Sequence, residues 1–331
     1  MAGRLATVFG GSGFIGRHVV QRLAAQGWRV RVAVRDTEAA RFLMPRGDVG
    51  QVVPVFADLT KDFSVQAAVA GADLVINLVG ILYESGKQTF QALHVEGAAR
   101  IANAAKAAGV GALVHLSALG ADAQSPAAYA RSKAAGEVAV RAAFPGATII
   151  KPSVVFGPED DFFNRFAALS SYTPILPVYV ADGFSLSGAS GQSRLFGSGG
   201  TKFQPVFVSD VADAIVAAAD PAQSGKVFEL VGPTVYSMRQ VIQMAMKYAG
   251  RCRLVVPMPL SFAKWHAAFL QYLPKPPLTP DQVKMLAVDN LPSAGSLGLA
   301  DLGIKPTAAE VILPTYLSRF KNPFVHLTRE A

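Results

Sequence analysis

"FGGSGFIGRH", residues 9–18, decides how the rest of this chain is read. Glycines stand at Gly10, Gly11, Gly13 and Gly16, directly after the apolar run "RLATVFG" and at the start of the periodic stretch "IGRHVVQRLAAQG". A strand that breaks at a glycine turn and re-enters as a helix puts unpaired helical N–H groups at the strand tip. Such a tip binds anions. Gly10 would allow the tight turn, Gly13 the approach of backbone to a pyrophosphate, and Gly16 close helix–strand packing. Phe14, Ile15 and Arg17 complete the candidate cradle for a dinucleotide.

Working outward, apolar strand patterns alternate with alanine-rich helical patterns as far as residue 150. "RVRVAVR" (29–35), "QVVPVFADL" (51–59), "ADLVINLVG" (72–80), "ALVHLSAL" (112–119) and "ATIIKPSVVFG" (147–157) read as strands. "FQALHVEGAARIANAAKAAG" (90–109) and "AAYARSKAAGEVAVRAAF" (127–144) read as helices, the first stopped at Gly109 and the second by Pro145 and Gly146. This β–α alternation predicts an α/β fold with a doubly wound parallel sheet. The expected domains are a dinucleotide-binding domain over 1–156 and a smaller mixed C-terminal domain over 157–331 that returns strands and helices to the first.

Composition narrows the class. The 331 residues are 51% hydrophobic and 16% charged, which suits a large folded core. A single cysteine, Cys252, rules out an internal disulfide framework and a cysteine metal cluster. The net charge is +8, and residues 1–46 hold eight arginines against Asp36 and Glu38. That imbalance suits phosphate, an acidic partner or anionic membrane lipid; with no reader motif beside it, nucleic acid is not expected. "FAALSSYTPILPVYVA" (166–181) comes nearest to a membrane span, but two prolines and its hydroxyl residues break it. The helix pattern "LSFAKWHAAFLQYL" (260–273) carries Phe262, Trp265, Phe269 and Tyr272, an apolar surface that suits core or a docking face for a membrane or partner, with core expected.

The end of the second strand bears on which dinucleotide binds. An acidic residue there accepts from a ribose 2′-hydroxyl. Here Val34 occupies that position and Arg35 follows. A guanidinium pairs with a 2′-phosphate, and Arg17 could join it, so NADP(H) is expected over NAD(H). Asp36 dissents, since a shift of register would make it the acid. Asp58, after the third strand, could accept from the adenine amino group. Tyr129 and Lys133 in "YARSK" lie four apart on one helix face, where an ammonium beside a phenol supports proton transfer. His18, His94, His115, His266 and His326 are scattered without metal-ligand spacing, and no metal is expected. Glu159, Asp160 and Asp161 are expected on a loop face, and Arg194 is a candidate for a substrate anion or a loop charge.

The glycine loop, Asp58, "NLVG" (77–80), "YARSK" and "KPSVVFGPED" (151–160) together resemble the extended and atypical short-chain dehydrogenase/reductase superfamily. The resemblance implies a Rossmann fold that binds NAD(P), with contacts from Asp58, Leu59, Val79, Gly80, Lys133 and Pro152. It also implies that Tyr129 and Lys133 match the family's catalytic pair. Active members carry a further serine or threonine hydroxyl just beyond the fifth strand. Here that position falls at Ala118 or Leu119, and Ser117 is expected to point to the opposite face. "LFGSGGTKFQPVFVSDVADAI" (195–215), "KVFELVGPTVYSMRQVI" (226–242) and "LTPDQVKMLAVDN" (278–290) are similar to one branch, the nucleotide-binding accessory subunit of respiratory complex I and its bacterial relatives. That branch implies NADP(H) held for stability, partners within complex I, and a peripheral place on the cytoplasmic side of the inner membrane or the matrix face. The alternative is an active oxidoreductase, epimerase or dehydratase using Tyr129 and Lys133.

Overall fold

The computed structural model describes residues 3–180, 199–274 and 276–321. Arg194 and His326 lie outside them, as does the glycine-rich stretch "LSGASGQSRLFGSGG" (186–200), which the sequence reads as a loop, except for its last two glycines. The chain forms β1 (Leu5–Phe9), α1 (Phe14–Ala25), β2 (Arg29–Val34), β3 (Val52–Phe56), α2 (Asp62–Val69), β4 (Leu74–Asn77), α3 (Gly97–Ala107), β5 (Ala112–Leu116), α4 (Ala128–Ala143) and β6 (Thr148–Pro152). It continues with β7 (Val155–Phe156), α5 (Phe163–Tyr172), β8 (Ile175–Val180), β9 (Lys202–Phe203) and β10 (Val206–Phe207). Then follow α6 (Val208–Ala217), β11 (Val227–Leu230), β12 (Tyr236–Ser237), α7 (Met238–Tyr248), β13 (Leu254–Pro259), α8 (Leu260–Leu270), α9 (Pro280–Met285) and α10 (Ala309–Leu317).

Two compact units emerge. The first comprises 1–153, 208–231 and 292–306; the second comprises 154–207, 232–291 and 307–331. The first unit is built on a seven-stranded sheet in the order β11-β6-β5-β4-β1-β2-β3, with parallel pairing throughout. This is the doubly wound parallel sheet expected from the sequence. β1 lies between β2 and β4, and all five of its residues are buried. A strand covered on both faces needs a continuous apolar run, and "LATVF" supplies one with a single hydroxyl. That hydroxyl, on Thr7, donates to the Ala68 carbonyl at 2.8 Å. Strand order reverses between β1 and β4, so their carboxyl ends open the crevice where α/β sheets take ligands.

Two elements depart from the sequence pattern. The helix expected over 90–109 is a π-helical stretch, Gln91–Glu96, followed by α3. The Gly97 N–H bonds to the Ala92 carbonyl five residues back. The widened turn approaches α4 so closely that a Cβ on Gly136 would lie 2.2 Å from the His94 carbonyl oxygen. The strand expected over 147–157 divides after Pro152, and β7 joins a separate two-stranded sheet with β10.

In the second unit, β8 pairs in parallel with β13, and Phe156, Phe163, Val241, Leu313 and Leu317 share one core. Asp160 is buried rather than on a loop face. It accepts from the N–H groups of Gly157, Phe162 and Asn164 and from the Tyr316 hydroxyl at 2.5 Å. The expectation for α8 is overturned. Ala263 and Ala267 face inward, while Trp265 is 60% and Phe269 63% exposed, with Phe262 and Tyr272 also exposed. The small residues of this helix form its buried stripe and the aromatic ones its open face. No helix among the described residues is long and apolar enough to cross a membrane.

Candidate nucleotide site

The glycine loop closes the tip of β1 onto α1. Gly10 has φ +76°, where residues with a side chain are strained, and a Cβ there would meet the Leu78 carbonyl carbon at 3.0 Å. Its carbonyl accepts from the Gly13 N–H at 3.1 Å. A Cβ on Gly16 would lie 2.2 Å from the Gly10 oxygen, so only glycine lets α1 start this close to β1. Gly13 is the N-cap of α1 and is exposed, and no side chain caps the helix. The first-turn N–H groups, from Phe14, Ile15 and Gly16, therefore lack side-chain acceptors, and the turn contains no acidic residue. A pyrophosphate fits this cradle in charge and in space.

Around it, Arg17 donates to the Gly13 carbonyl at 3.3 Å and its guanidinium lies 5.3 Å from the Phe42 ring. Most neighbouring arginines are engaged in folding: Arg4 stacks on Trp28, Arg22 pairs with Asp213, Arg31 holds the Ala68 and Ala70 carbonyls, and Arg41 pairs with Glu38. Arg35 is exposed at the end of β2 and makes no hydrogen bond or ion pair with a described residue. Asp36 accepts from the Ala39 N–H at 3.0 Å, closing the turn after β2. Asp58 accepts from the Thr60 backbone and hydroxyl, which hold its carboxyl below the usual range, with smaller help from Lys61 and Arg35. Leu59 turns its side chain into the core against Gly97. That leaves its backbone as the part able to meet a ligand.

The other end of the crevice is lined from β4, β5 and α4. Asn77, buried at the end of β4, accepts from the Val79 N–H at 3.1 Å and donates to Nδ1 of the buried His115. This pair turns the chain outward into Gly80. Tyr129 and Lys133 share a face of α4 as the spacing predicts. The Lys133 Nζ donates to the Leu116 carbonyl at 2.8 Å, and would lie 3.8 Å from a Cβ on Gly80. Burial lowers Lys133 to about 8, opposed by Glu137. Burial raises the Tyr129 phenol to about 12. Pro152, buried at the end of β6, accepts from the Leu119 N–H at 2.9 Å.

The hydroxyl that proton transfer would use is elsewhere. Ser117 donates to Glu137 at 2.5 Å, and Glu137 pairs with Lys151 at 3.1 Å. Ala118 and Leu119 follow it without a hydroxyl. His94, which carried no motif in the sequence, stands at the centre of this end. Its ring packs edge-on against Tyr129 at 5.6 Å and bonds both Ser132 and Ile81. Contacts across 13 and 38 positions distinguish it, and no local pattern carries that signal. No group of three or more metal-ligating side chains occurs among the described residues.

Residues 6–231 match the model of the NAD dependent epimerase/dehydratase family. The chain belongs to that family. It also belongs with the relatives of a mitochondrial subunit. It is 36% identical over 319 residues to NADH dehydrogenase (ubiquinone) 1 alpha subcomplex subunit 9 of Arabidopsis thaliana, covering 92% of this chain and 75% of that protein. The same subunit of Mus musculus is 35% identical over 315 residues, covering 94% and 79%. Among solved structures, a Citrobacter sp. triphenylmethane reductase complexed with NADP(H) superposes with a TM-score of 0.71 at 18% identity, covering 94% of this chain and 99% of the other. That likeness shows a shared fold, and the family shows an NAD(P)-binding one.

Proposed function

We propose that this chain is an accessory subunit of respiratory complex I that holds NADP(H) to stabilise its fold and does not turn it over. One observation carries the second half: Ser117 is committed to Glu137, and Ala118 and Leu119 supply no hydroxyl beside Tyr129. A nicotinamide dinucleotide supplies a hydride when a substrate is poised with a proton donor. Here the donor phenol is held protonated by burial. The group that would orient a substrate oxygen beside it is absent. The first half is supported by the identity to complex I subunits over nearly the whole chain.

In this reading the Gly10–Gly16 loop and the start of α1 take the pyrophosphate, Asp58 the adenine amino group, and Lys133 the nicotinamide ribose. Arg35, which no described carboxylate occupies, takes a 2′-phosphate with Arg17. Asp36 gives one carboxylate oxygen to its own turn, through the Ala39 N–H. This favours NADP(H) over NAD(H). The C-terminal part, with the exposed aromatic face of α8, docks near the junction of the peripheral and membrane arms. Native electrophoresis of solubilised membranes tests the assignment. The chain is expected to co-migrate with NADH:quinone oxidoreductase activity; migration solely as a free protein would refute it.

The shared face of Tyr129 and Lys133 supports a second reading, an active NAD(P)-dependent oxidoreductase. Its test is Tyr129→Phe, which must then abolish whatever carbonyl reduction the protein catalyses.

A further inference from the structure

The loop after β4 and the first turn of α4 are separated by some fifty residues of chain, and one side chain joins them. His94 is 2% exposed. Its Nε2 accepts from the Ile81 N–H at 3.0 Å, and its Nδ1 lies 2.8 Å from the Ser132 hydroxyl oxygen. Ser132 in turn donates to the Tyr129 carbonyl at 2.7 Å, so its only proton is committed. Nδ1 must then be the donor. Nε2, facing an N–H, must carry the lone pair. The three bonds agree on one tautomer of a neutral ring, and Phe90 stacks on that ring at 5.3 Å. A Cβ on Gly80 would lie 3.7 Å from the His94 Nε2 and 3.8 Å from the Lys133 Nζ, so both nitrogens border one opening.

We propose that His94 is a positioning residue that latches the Gly80–Ile81 loop to the Tyr129–Lys133 turn and so sets how slowly the nucleotide leaves. This rests on the reading that the chain holds NADP(H). Burial and the nearby Lys133 charge keep the ring neutral, lowering it to about 3, so the acceptor lone pair persists throughout the physiological range. An amide can replace either half of the ring. A glutamine oxygen reaches the place of Nε2, whereas an asparagine amide reaches only the place of Nδ1.

The test uses the full chain with its bound nucleotide. Nitrogen-15 shifts of His94 in the unsubstituted protein are expected to show the Nδ1–H tautomer; the Nε2–H tautomer would overturn the latch. In His94→Asn, Ile81 amide exchange and NADPH release are each expected to accelerate about tenfold or more, while His94→Gln stays within about threefold. Equal Ile81 exchange in the two variants overturns the latch. Faster Ile81 exchange with unchanged release overturns its role in retention. Should His94→Asn fail to fold, Ser132→Ala removes the Nδ1 partner, together with the hydrogen bond to the Tyr129 carbonyl, and leaves the ring in place. It is expected to raise exchange and release about threefold or more, and no change would count against the proposal. A protein that binds no NADP(H) refutes the holding function, while Ile81 exchange in that same sample still decides the latch.

Discussion

The two ends of the crevice are built by different means. At the β1–α1 end, the shape is set by what glycine lacks: Gly10 and Gly16 have no room for a Cβ, and the helix start is left without a side-chain cap. At the β4–α4 end, the shape is set by buried polar side chains that satisfy one another, Asn77 with His115, His94 with Ser132, and Ser117 with Glu137. In the proposed reading the first end holds the pyrophosphate. The second keeps the phenol and the ammonium but has its serine turned to another partner. If the proposed function holds, binding and chemistry are separable within one fold.

The comparison breaks most severely at Gly16. Gly16→Ala places a methyl against the Gly10 carbonyl, where neither backbone can yield. It is expected to cost about 3 kcal/mol or more in a denaturant titration and to abolish nucleotide retention. Arg35→Ala leaves the fold alone. It is expected to weaken NADP(H) about 10- to 100-fold in calorimetry while changing NAD(H) little, since only the former carries a phosphate for the guanidinium.

The second end shows itself through pH. Below about 8 Lys133 is protonated in both folded and unfolded chains, and the cost of burying its charge is fully present. Between about 8 and 10.5 the folded chain gives up that proton first, so the unfolded chain binds more protons and stability rises with pH. The gain is about 3 kcal/mol across that window, and Lys133→Met should remove it. Tyr129 opposes it above 10, because the unfolded phenol ionises before the folded one, which waits until about 12. The smallest effect is expected from Tyr129→Phe. Stability should move by about 1 kcal/mol or less, and nucleotide content should not change.

The fold and the cradle were legible because their causes are local. A continuous apolar run, a glycine where backbone must come close, and a helix start follow one another within eighteen residues. Tyr129 and Lys133 were legible for the same reason, since four positions on a helix make one face. His94, Asn77 and His115 were not, because their meaning lies in partners 13 to 38 positions away. α8 misled for a different reason. Its aromatic residues mark an apolar face, but periodicity does not say whether the molecule itself covers it. Ala263 and Ala267 do the inward packing instead.

The central claim is that the nucleotide is kept and not consumed. Its most direct measurement is the identity, redox state and stoichiometry of nucleotide released by denaturing the purified protein after prolonged incubation with carbonyl and quinone acceptors. About one NADPH per chain, still reduced, is the predicted result. NADP⁺ formed at an ordinary enzymatic rate, or NAD(H) in its place, would contradict it.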